Sequence, residues 1–201
     1  MRKFRHITPR YLAAKARLYL YNRRNPDDPW IASDAIEALN TLLKKSDIGA
    51  EFGSGRSTIW LAKRVGHLYS FEDNKEWWDK VSSRINEEGI SASTTYKLCF
   101  DDESYVSSLS LIKAKELDFC FIDGGDRGSL ALMAIEKIKD GGLLIVDNVN
   151  WYLPSNTRTP GSIRCESDMK DSVWIEFYKK ISGKRYIWTS NGIGDTAIWM
   201  I

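Results

Sequence analysis

What this sequence lacks excludes several classes of protein. No apolar run approaches the roughly 18 residues that a membrane-spanning helix needs, and residues 1–10 carry basic side chains without the apolar segment of a secretory signal. The 3 cysteines are widely spaced and form no Cys-x-x-Cys pair, which argues against a disulfide framework. With 5 Pro and 14 Gly among 201 residues, the chain is neither collagen-like nor low in complexity. We therefore expect a globular protein without a membrane span, in the reducing cytoplasm.

The sequence does contain many core-forming residues, and its charge is unevenly distributed. Hydrophobic residues make up 43% of the chain, enough for the core of one domain with an appendage. Residues 1–26 hold eight Lys and Arg, whereas all 27 Asp and Glu lie further along. This basic segment either faces an acidic partner, such as a sugar phosphate or a membrane surface, or is the solvated side of a packed helix. We predict a basic helical segment over 1–46 on the substrate side and a second domain over 47–201; specific nucleic-acid binding is the less favoured option.

Short apolar strands alternate with helices from residue 48 onwards. Strands are predicted over 48–52, 67–71, 94–100, 117–122, 142–146, 184–189 and 196–201. Helices are predicted over 9–24, 33–45, 57–65, 75–87, 106–113, 129–138 and 171–181. This alternation is typical of a mostly parallel α/β sheet covered on both faces. Such sheets bind ligands beyond the carboxyl ends of their strands, so we expect the chemistry in the loops that follow them.

A glycine loop follows the first predicted strand, with the sequence Glu-Phe-Gly-Ser-Gly-Arg-Ser-Thr over 51–58. Its glycines allow a tight turn and close approach to a ligand, and Ser57 and Thr58 can cap the next helix. A dinucleotide fingerprint would require a third glycine where Thr58 stands, and a P-loop lysine is absent. The acid Glu51 at the strand end suits a cationic ligand group better than a pyrophosphate. A plain glycine turn is the alternative interpretation.

Acidic residues also follow the second and third predicted strands. Glu72 comes 21 residues after Glu51, the spacing at which an acid binds ribose hydroxyls in this class of sheet, and Asp73 is next to it. Asp102 follows the third strand, where a side chain can reach a purine amino group. Helix capping is the alternative for Glu72, but the glycine loop before it favours the ribose contact; after the third strand, capping of the next helix explains Asp102 equally well.

Three oxygen-bearing side chains end the fourth and fifth predicted strands. Asp123 follows one strand, and Asp147 and Asn148 follow the other. Because neighbouring parallel strands end at the same edge, these side chains could converge on Mg²⁺ or a similar divalent cation. Helix capping and loop contacts are the alternative. Asp126 and Arg127 are close in sequence and could supply a base and an anion contact, or pair with each other.

These motifs resemble class I S-adenosylmethionine-dependent methyltransferases over roughly residues 48–150. The resemblance implies a Rossmann-like, doubly wound, seven-stranded sheet with an antiparallel last strand, and S-adenosylmethionine as cofactor. It implies that Glu51 and Gly53 line the methionine moiety and that Glu72 holds the ribose hydroxyls. The predicted cofactor-binding residues are Glu51, Gly53, Ser54, Gly55, Ser57, Thr58, Glu72, Asp73, Asp102 and Asp123.

Within that class, the segments 121–127 and 145–149 resemble metal-dependent O-methyltransferases of the catechol and macrolide-sugar type. That resemblance implies a metal site at Asp123, Asp147 and Asn148. Asp126 stands where catechol-type enzymes carry a lysine, so we predict Asp123 or Asp126 as the catalytic base. The long segment 151–170 is a candidate substrate lid.

The resemblance does not identify the methyl acceptor. We predict a sugar or glycan hydroxyl, with a catechol-like or other small hydroxylated metabolite as the alternative, and with Arg127, Trp151 and Arg158 as substrate contacts. A non-catalytic binding domain is a second alternative, and a homodimer stays open. A nicotinamide-dependent oxidoreductase is disfavoured because the third glycine and a Tyr-x-x-x-Lys pair are missing.

Overall fold

A seven-stranded sheet forms the centre of the protein in the computed structural model, which describes residues 8–201. Its strand order is β3-β2-β1-β4-β5-β7-β6, and only β7 runs antiparallel to its neighbours. The strands are β1 (Ile48–Phe52), β2 (His67–Glu72), β3 (Thr94–Leu98), β4 (Leu117–Ile122), β5 (Ile138–Asp147), β6 (Tyr186–Ser190) and β7 (Asp195–Met200). The predicted Rossmann-like fold class, including the antiparallel last strand, is confirmed.

In the described part of the chain, seven α-helices surround the sheet. Polar side chains cap several of them: Asn74 accepts from the Trp77 backbone N–H at 2.9 Å, and Asp171 accepts from that of Trp174 at 3.1 Å. The helices are α1 (Pro9–Arg24), α2 (Ser33–Leu42), α3 (Arg56–Ala62), α4 (Lys75–Glu87), α5 (Asp102–Ser107), α6 (Arg127–Lys137) and α7 (Ser172–Ile181). No helix within 8–201 combines the length and the apolar character that crossing a membrane requires.

The helices cover both faces of the sheet and bury a core on each side. On one face, Leu130 of α6 and Trp174 of α7 pack with Phe52 and the strand residues around it. On the other face, Ile36 of α2 and Leu61 of α3 pack against strand residues of β4, β5 and β7. The helix α2 is therefore part of the sheet's own core, although the predicted domain boundary after residue 46 is otherwise untested.

Several elements differ from their predicted bounds, and the starts of β5 and α5 differ the most. The strand β5 begins at Ile138 rather than at 142, since Ile138 pairs with Leu117 before a register shift interrupts the ladder. The helix α5 begins at Asp102 rather than near 106, because the Asp101 carboxylate accepts from the Ser104 backbone N–H at 2.6 Å and starts the helix earlier.

The helix α1 lies on the surface beside the β6–β7 turn. Thr8 caps it by accepting from the Tyr11 N–H at 3.2 Å, and of its residues only Ala14 is fully buried. A β-carbon on Gly192 of the turn would lie 3.0 Å from the Ala14 β-carbon, so helix and turn are in contact. The first part of the predicted basic segment, with Arg2, Lys3 and Arg5, lies outside the described residues.

Candidate functional site

The predicted site residues come together at the carboxyl edge of the sheet, where β1, β2, β4 and β5 end. The strand order changes direction between β1 and β4, and this is where α/β sheets of this kind form a ligand crevice. The loops after β1 and β4 touch, because the backbone N–H groups of Asp123 and Gly124 both donate to the Phe52 carbonyl at 2.8 Å.

Position 53 requires a glycine for two reasons. Its φ angle is +91°, which side chains rarely adopt, and a β-carbon would lie 2.5 Å from the Gly124 nitrogen. The loop is fixed further along, where the Gly55 N–H donates to the Thr58 hydroxyl at 2.9 Å. The glycine loop is therefore pressed against the β4 loop in one defined conformation.

Glu51 lies fully buried beneath this loop. Its Oε2 accepts from the hydroxyls of Thr58 at 2.6 Å and Ser70 at 2.7 Å, whereas its Oε1 has no hydrogen-bond partner. Burial raises the pKa of Glu51 to about 7, and the nearby hydroxyls of Ser57, Thr58 and Ser70 oppose that rise. A buried carboxylate oxygen without a donor is costly, so this position favours a ligand that brings a donor group.

A second buried acid, Asp147, ends β5. Its Oδ1 accepts from the Thr196 hydroxyl at 2.5 Å, and Thr196 also accepts from the Ala32 N–H at 3.3 Å. Burial, followed by the nearby charge of Asp123, raises the pKa of Asp147 to about 7. This carboxyl is part of the interior rather than an exposed base.

These two pKa shifts predict how stability depends on pH. Between the unfolded value of 4.5 and the folded value of about 7, Glu51 is protonated in the folded state and ionised in the unfolded state. Asp147 behaves in the same way between 3.8 and about 7. We expect the free energy of unfolding of the ligand-free protein to fall by about 4 to 5 kcal/mol as the pH rises from about 5 to about 7.5, with roughly half of the fall from each group.

Urea denaturation at a series of pH values measures this effect. The Glu51→Gln variant removes one of the two titrating groups, so its stability should fall less steeply over the same pH range. A stability that is constant or rises with pH in the wild-type protein would contradict the two raised pKa values.

Glu72 makes three hydrogen bonds within the protein. Its Oε2 accepts from the Ser54 N–H at 2.9 Å and the Ser54 hydroxyl at 2.6 Å, and its Oε1 accepts from the Asn74 N–H at 2.9 Å. The Ser54 hydroxyl also meets the Tyr96 hydroxyl at 2.6 Å, and the Ser54 carbonyl accepts from the indole of Trp77 at 2.5 Å. Glu72 thus anchors the glycine loop in addition to its predicted contact with ribose hydroxyls.

Two further predicted cofactor contacts, Asp73 and Asp102, are exposed. Asp73 lies beside the β4 loop, since a β-carbon on Gly125 would be 3.3 Å from its Oδ2. Asp102 is the first residue of α5, and Asp101 rather than Asp102 caps that helix. Its side chain is exposed beyond β3, as contact with a purine amino group would require.

Arg127 occupies the place predicted for a metal ion. Its Nε donates to the Gly124 carbonyl at 2.9 Å. Its Nη1 donates to the Asp147 carbonyl and, at 3.0 Å, to Asn148 Oδ1. Its Nη2 donates to the Asp123 carbonyl and, at 2.8 Å, to Asp123 Oδ1. These bonds account for all five guanidinium N–H donors. Arg127, predicted to contact substrate, has no donor left for one.

The residues do not fit the predicted divalent cation. The side-chain oxygens of Asp123 and Asn148 face the Arg127 guanidinium, and Asp147 Oδ1 is held by Thr196. No group of three or more His, Cys, Asp or Glu within the described part of the chain could hold a metal ion. The prediction of a magnesium site at Asp123, Asp147 and Asn148 is therefore not supported, because the Arg127 guanidinium binds side-chain oxygens of two of these residues and Thr196 binds the third.

The two candidate bases differ in their surroundings. Asp123 lies at the crevice with its side chain 32% exposed, and burial raises the pKa of Asp123 while the Arg127 charge opposes that rise. Asp126 is exposed and caps α6, accepting from the Ser129 N–H at 3.4 Å with a left-handed φ of +34°. Asp123 is therefore the carboxylate that lies in the crevice, whereas Asp126 caps a helix.

The remaining predicted substrate residues lie in the segment after β5. Trp151 is half-exposed and packs on Gly161, where a β-carbon would come within 2.1 Å of its ring. Arg158 is exposed and lines a groove of about 1070 Å³ between α1 and this segment. The predicted lid role of 151–170 remains a prediction.

Comparison with known proteins adds evidence at the level of fold. No protein-family model and no curated protein sequence matches the chain. Among solved structures, the O-methyltransferase TomG from Streptomyces achromogenes, in complex with S-adenosylmethionine, is similar with a TM-score of 0.62 and 20% identity, over 96% of this chain and 90% of that one. This protein has the fold of class I S-adenosylmethionine-dependent methyltransferases.

Two further structures share this methyltransferase fold. An O-methyltransferase from Bacillus cereus, in complex with S-adenosylhomocysteine, has a TM-score of 0.63 and 15% identity over 94% of this chain and 91% of that one. An rRNA methylase from Streptococcus thermophilus has a TM-score of 0.55 and 15% identity over 83% and 93% of the two chains. The resemblance to methyltransferases predicted from the motifs is confirmed, whereas the metal-dependent subtype is not.

Sequence reasoning missed several residues that shape this methyltransferase-like site. Tyr96 and Trp77 hold the glycine loop from β3 and α4, and Thr196 holds Asp147 from β7. The pairing of Thr196 with Asp147 follows from the register of β5 and β7, which no local pattern reveals.

Proposed function

We propose that this protein is an S-adenosylmethionine-dependent O-methyltransferase acting on a hydroxyl of a sugar or glycan. The main observation behind this proposal is the buried Glu51, whose Oε1 has no hydrogen-bond partner. Glu51 lies beneath the glycine loop, at the point where the strand order of the sheet reverses. The cofactor's amino group is a cationic donor that would supply the missing hydrogen bond. The similar fold of structures with S-adenosylmethionine or S-adenosylhomocysteine bound supports the same cofactor here.

The other cofactor contacts follow from the order of the strands. Glu72 at the end of β2 would meet the ribose hydroxyls with its remaining lone pairs, and Asp102 beyond β3 would meet the adenine amino group. The backbone of Gly53 to Gly55 would form the floor beside the methionine moiety, and a side chain at position 53 would collide with the β4 loop. Asp73 and Asp123 are the remaining proposed contacts of the cofactor.

In the proposed reaction, Asp123 accepts the proton of the acceptor hydroxyl. Bound S-adenosylmethionine supplies an activated methyl group on a positively charged sulfur. Arg127 acts as a positioning residue, because it fixes both the carboxylate and the backbone carbonyl of Asp123. The protein thus orients the base with an internal cation, and we propose that proton removal needs no divalent metal.

A sugar acceptor is supported by the polar and aromatic surroundings of the crevice. Trp151 presents a half-exposed ring, and hydroxyl and amide side chains dominate the segment behind it, with Asn156, Thr157 and Ser162 among them. The alternatives are a catechol-like metabolite, which would need an apolar slot for its ring, and a non-catalytic binding domain. An RNA acceptor is the third alternative, raised by the similarity to an rRNA methylase.

Cofactor binding tests the first part of this proposal. In Glu51→Gln the amide would turn a donor toward the cofactor's amino group, so we expect its affinity for S-adenosylmethionine to fall by at least about tenfold in calorimetry. Glu136→Gln, a change of the same type at an exposed position of α6, should bind like the wild-type protein. Equal affinities for all three proteins would contradict the assignment of Glu51.

The acceptor class is tested by incubating the protein with labelled S-adenosylmethionine and four sets of acceptors. These are monosaccharides and oligosaccharides, polyols, catechols, and short RNA oligonucleotides. We expect labelled O-methyl sugar as the product. Label in catechol or RNA alone would replace the sugar assignment, and cofactor binding without any transfer would favour the non-catalytic alternative.

A further inference from the structure

A large groove opens between α1, the segment after β5 and the β6–β7 turn. Its volume is about 1070 Å³, just above the usual range of small-molecule sites. Three arginines line it: Arg10 and Arg17 on α1, and Arg158 on the opposite wall. Residues 10 and 17 are two helical turns apart, so both face the groove from one side of α1, about 10 Å apart along the axis.

Within residues 8–201, no ion pair neutralises the positive charge of this arginine groove. No Asp or Glu belongs to its lining, and within residues 8–201 none of the three arginines forms a salt bridge. Three acids next to the lining are not paired with these arginines: Asp28 accepts from the Tyr21 hydroxyl at 2.6 Å, Asp34 accepts from the Ser33 hydroxyl at 3.3 Å, and Asp195 is fully buried. Three like charges around one cavity repel each other unless an anion lies between them.

Buried hydrogen bonds hold the wall opposite α1 in place. Asp195 Oδ2 accepts from the Trp188 indole at 3.0 Å, from Ser155 at 3.2 Å and from Thr157. The Thr159 hydroxyl accepts from the Asn150 amide at 2.7 Å. Arg158 therefore lies between Thr157 and Thr159, which these hydrogen bonds hold in place. This wall is a preorganised surface.

The groove adjoins the proposed catalytic crevice at the same edge of the sheet. Gly194, two residues beyond the groove-lining turn, lies against Asn148, since a β-carbon there would be 2.9 Å from Asn148 Nδ2. The lining residue Ser33 follows Ala32, whose N–H donates to Thr196, the partner of Asp147. A ligand in the groove would extend from the end of β5 towards α1.

We infer that the arginine groove binds an anionic group of the methyl acceptor, either a phosphate ester or a sugar carboxylate. This inference rests on the proposed function, because it makes the groove the outer part of the acceptor site. Guanidinium groups suit such ligands, since their planar forks bind phosphate and carboxylate oxygens in pairs. The tyrosines Tyr11 and Tyr21 and the hydroxyls of the lining would contact the sugar itself.

Binding of small ligands to the full chain tests this assignment. Isothermal titration with glucose 6-phosphate, glucuronate and glucose compares a phosphate ester, a carboxylate and a neutral sugar on one ring, and inorganic phosphate serves as a fourth probe. The test variant is Arg10→Gln/Arg17→Gln/Arg158→Gln. We expect at least one of the two sugar anions to bind more tightly than glucose, and the variant to weaken that binding by roughly 30-fold or more.

The matched control is Arg23→Gln/Arg24→Gln/Arg185→Gln, which removes the same charge from exposed positions outside the groove lining. It should bind the anion like the wild-type protein. Equal loss in both variants, or no preference for the anions over glucose, would overturn the assignment. Tighter, groove-dependent binding of a labelled RNA oligonucleotide would also overturn it, in favour of a nucleic-acid surface.

Titration of S-adenosylmethionine separates this inference from the proposed function. Both triple variants should bind the cofactor like the wild-type protein, since none of the six arginines belongs to the cofactor crevice. A protein that binds the anion through the groove but not S-adenosylmethionine would contradict the proposed function alone. A protein that binds the cofactor but shows no arginine-dependent anion binding would contradict the groove alone.

Discussion

Replacing Asp123 with asparagine should abolish most of the methyl transfer and should weaken cofactor binding far less. Asparagine keeps an oxygen that can accept from Arg127, so the crevice retains its geometry, but the residue can no longer take a proton. We expect kcat to fall by at least about 100-fold. Initial rates with labelled S-adenosylmethionine, together with calorimetry of cofactor binding, measure the two effects separately.

The matched control for this prediction is Asp126→Asn. Asparagine also caps helices and tolerates a left-handed backbone, so α6 should start normally and the rate should change less than about threefold. A large loss of activity in Asp126→Asn with a normal rate in Asp123→Asn would reverse the assignment of the base.

Removing Arg127 should have the largest effect on stability of any change at the site. The Arg127→Met variant keeps much of the side-chain volume but leaves the carbonyls of Asp123, Gly124 and Asp147 without their donor and two neighbouring acids without a counter-charge. We expect the free energy of unfolding to fall by about 3 kcal/mol. Urea denaturation with a common m-value measures the difference.

Arg164→Met provides the comparison for this substitution. Arg164 donates to the Trp151 carbonyl at 3.2 Å and lies 3.8 Å from the exposed Asp168, so it contributes little beyond a surface contact. Its removal should cost less than about 1 kcal/mol. Similar losses for the two variants would mean that the guanidinium of Arg127 does not hold the crevice together.

Much of the fold could be predicted because each strand is a short apolar run between polar turns. The predicted bounds of β1, β4 and α4 agree with the structure at both ends. The early start of β5 could not be predicted, since Gly141 and Gly142 look like a turn in sequence, and the pairing of Ile138 with Leu117 depends on tertiary contact. Pairing with β4 therefore makes β5 longer than its own sequence pattern predicts.

The candidate site was predictable in position but not in its internal connections. Glu51, Glu72 and Asp123 follow strands, so their convergence at one edge is a consequence of the parallel sheet. The place of Arg127 depends on a side chain that points from the first turn of α6 back toward β5, and spacing alone does not reveal that direction. The same convergence of oxygens that suggested a metal therefore binds a guanidinium instead.

The most direct test is the rate of labelled methyl transfer from S-adenosylmethionine to the accepted sugar, measured in EDTA and in excess Mg²⁺. Because Arg127 already binds the oxygens of Asp123 and Asn148, the two rates should agree within about twofold, and Asp123→Asn should abolish both. Transfer that is lost in EDTA and restored by Mg²⁺ would contradict the account. So would the absence of transfer from a wild-type protein that binds the cofactor.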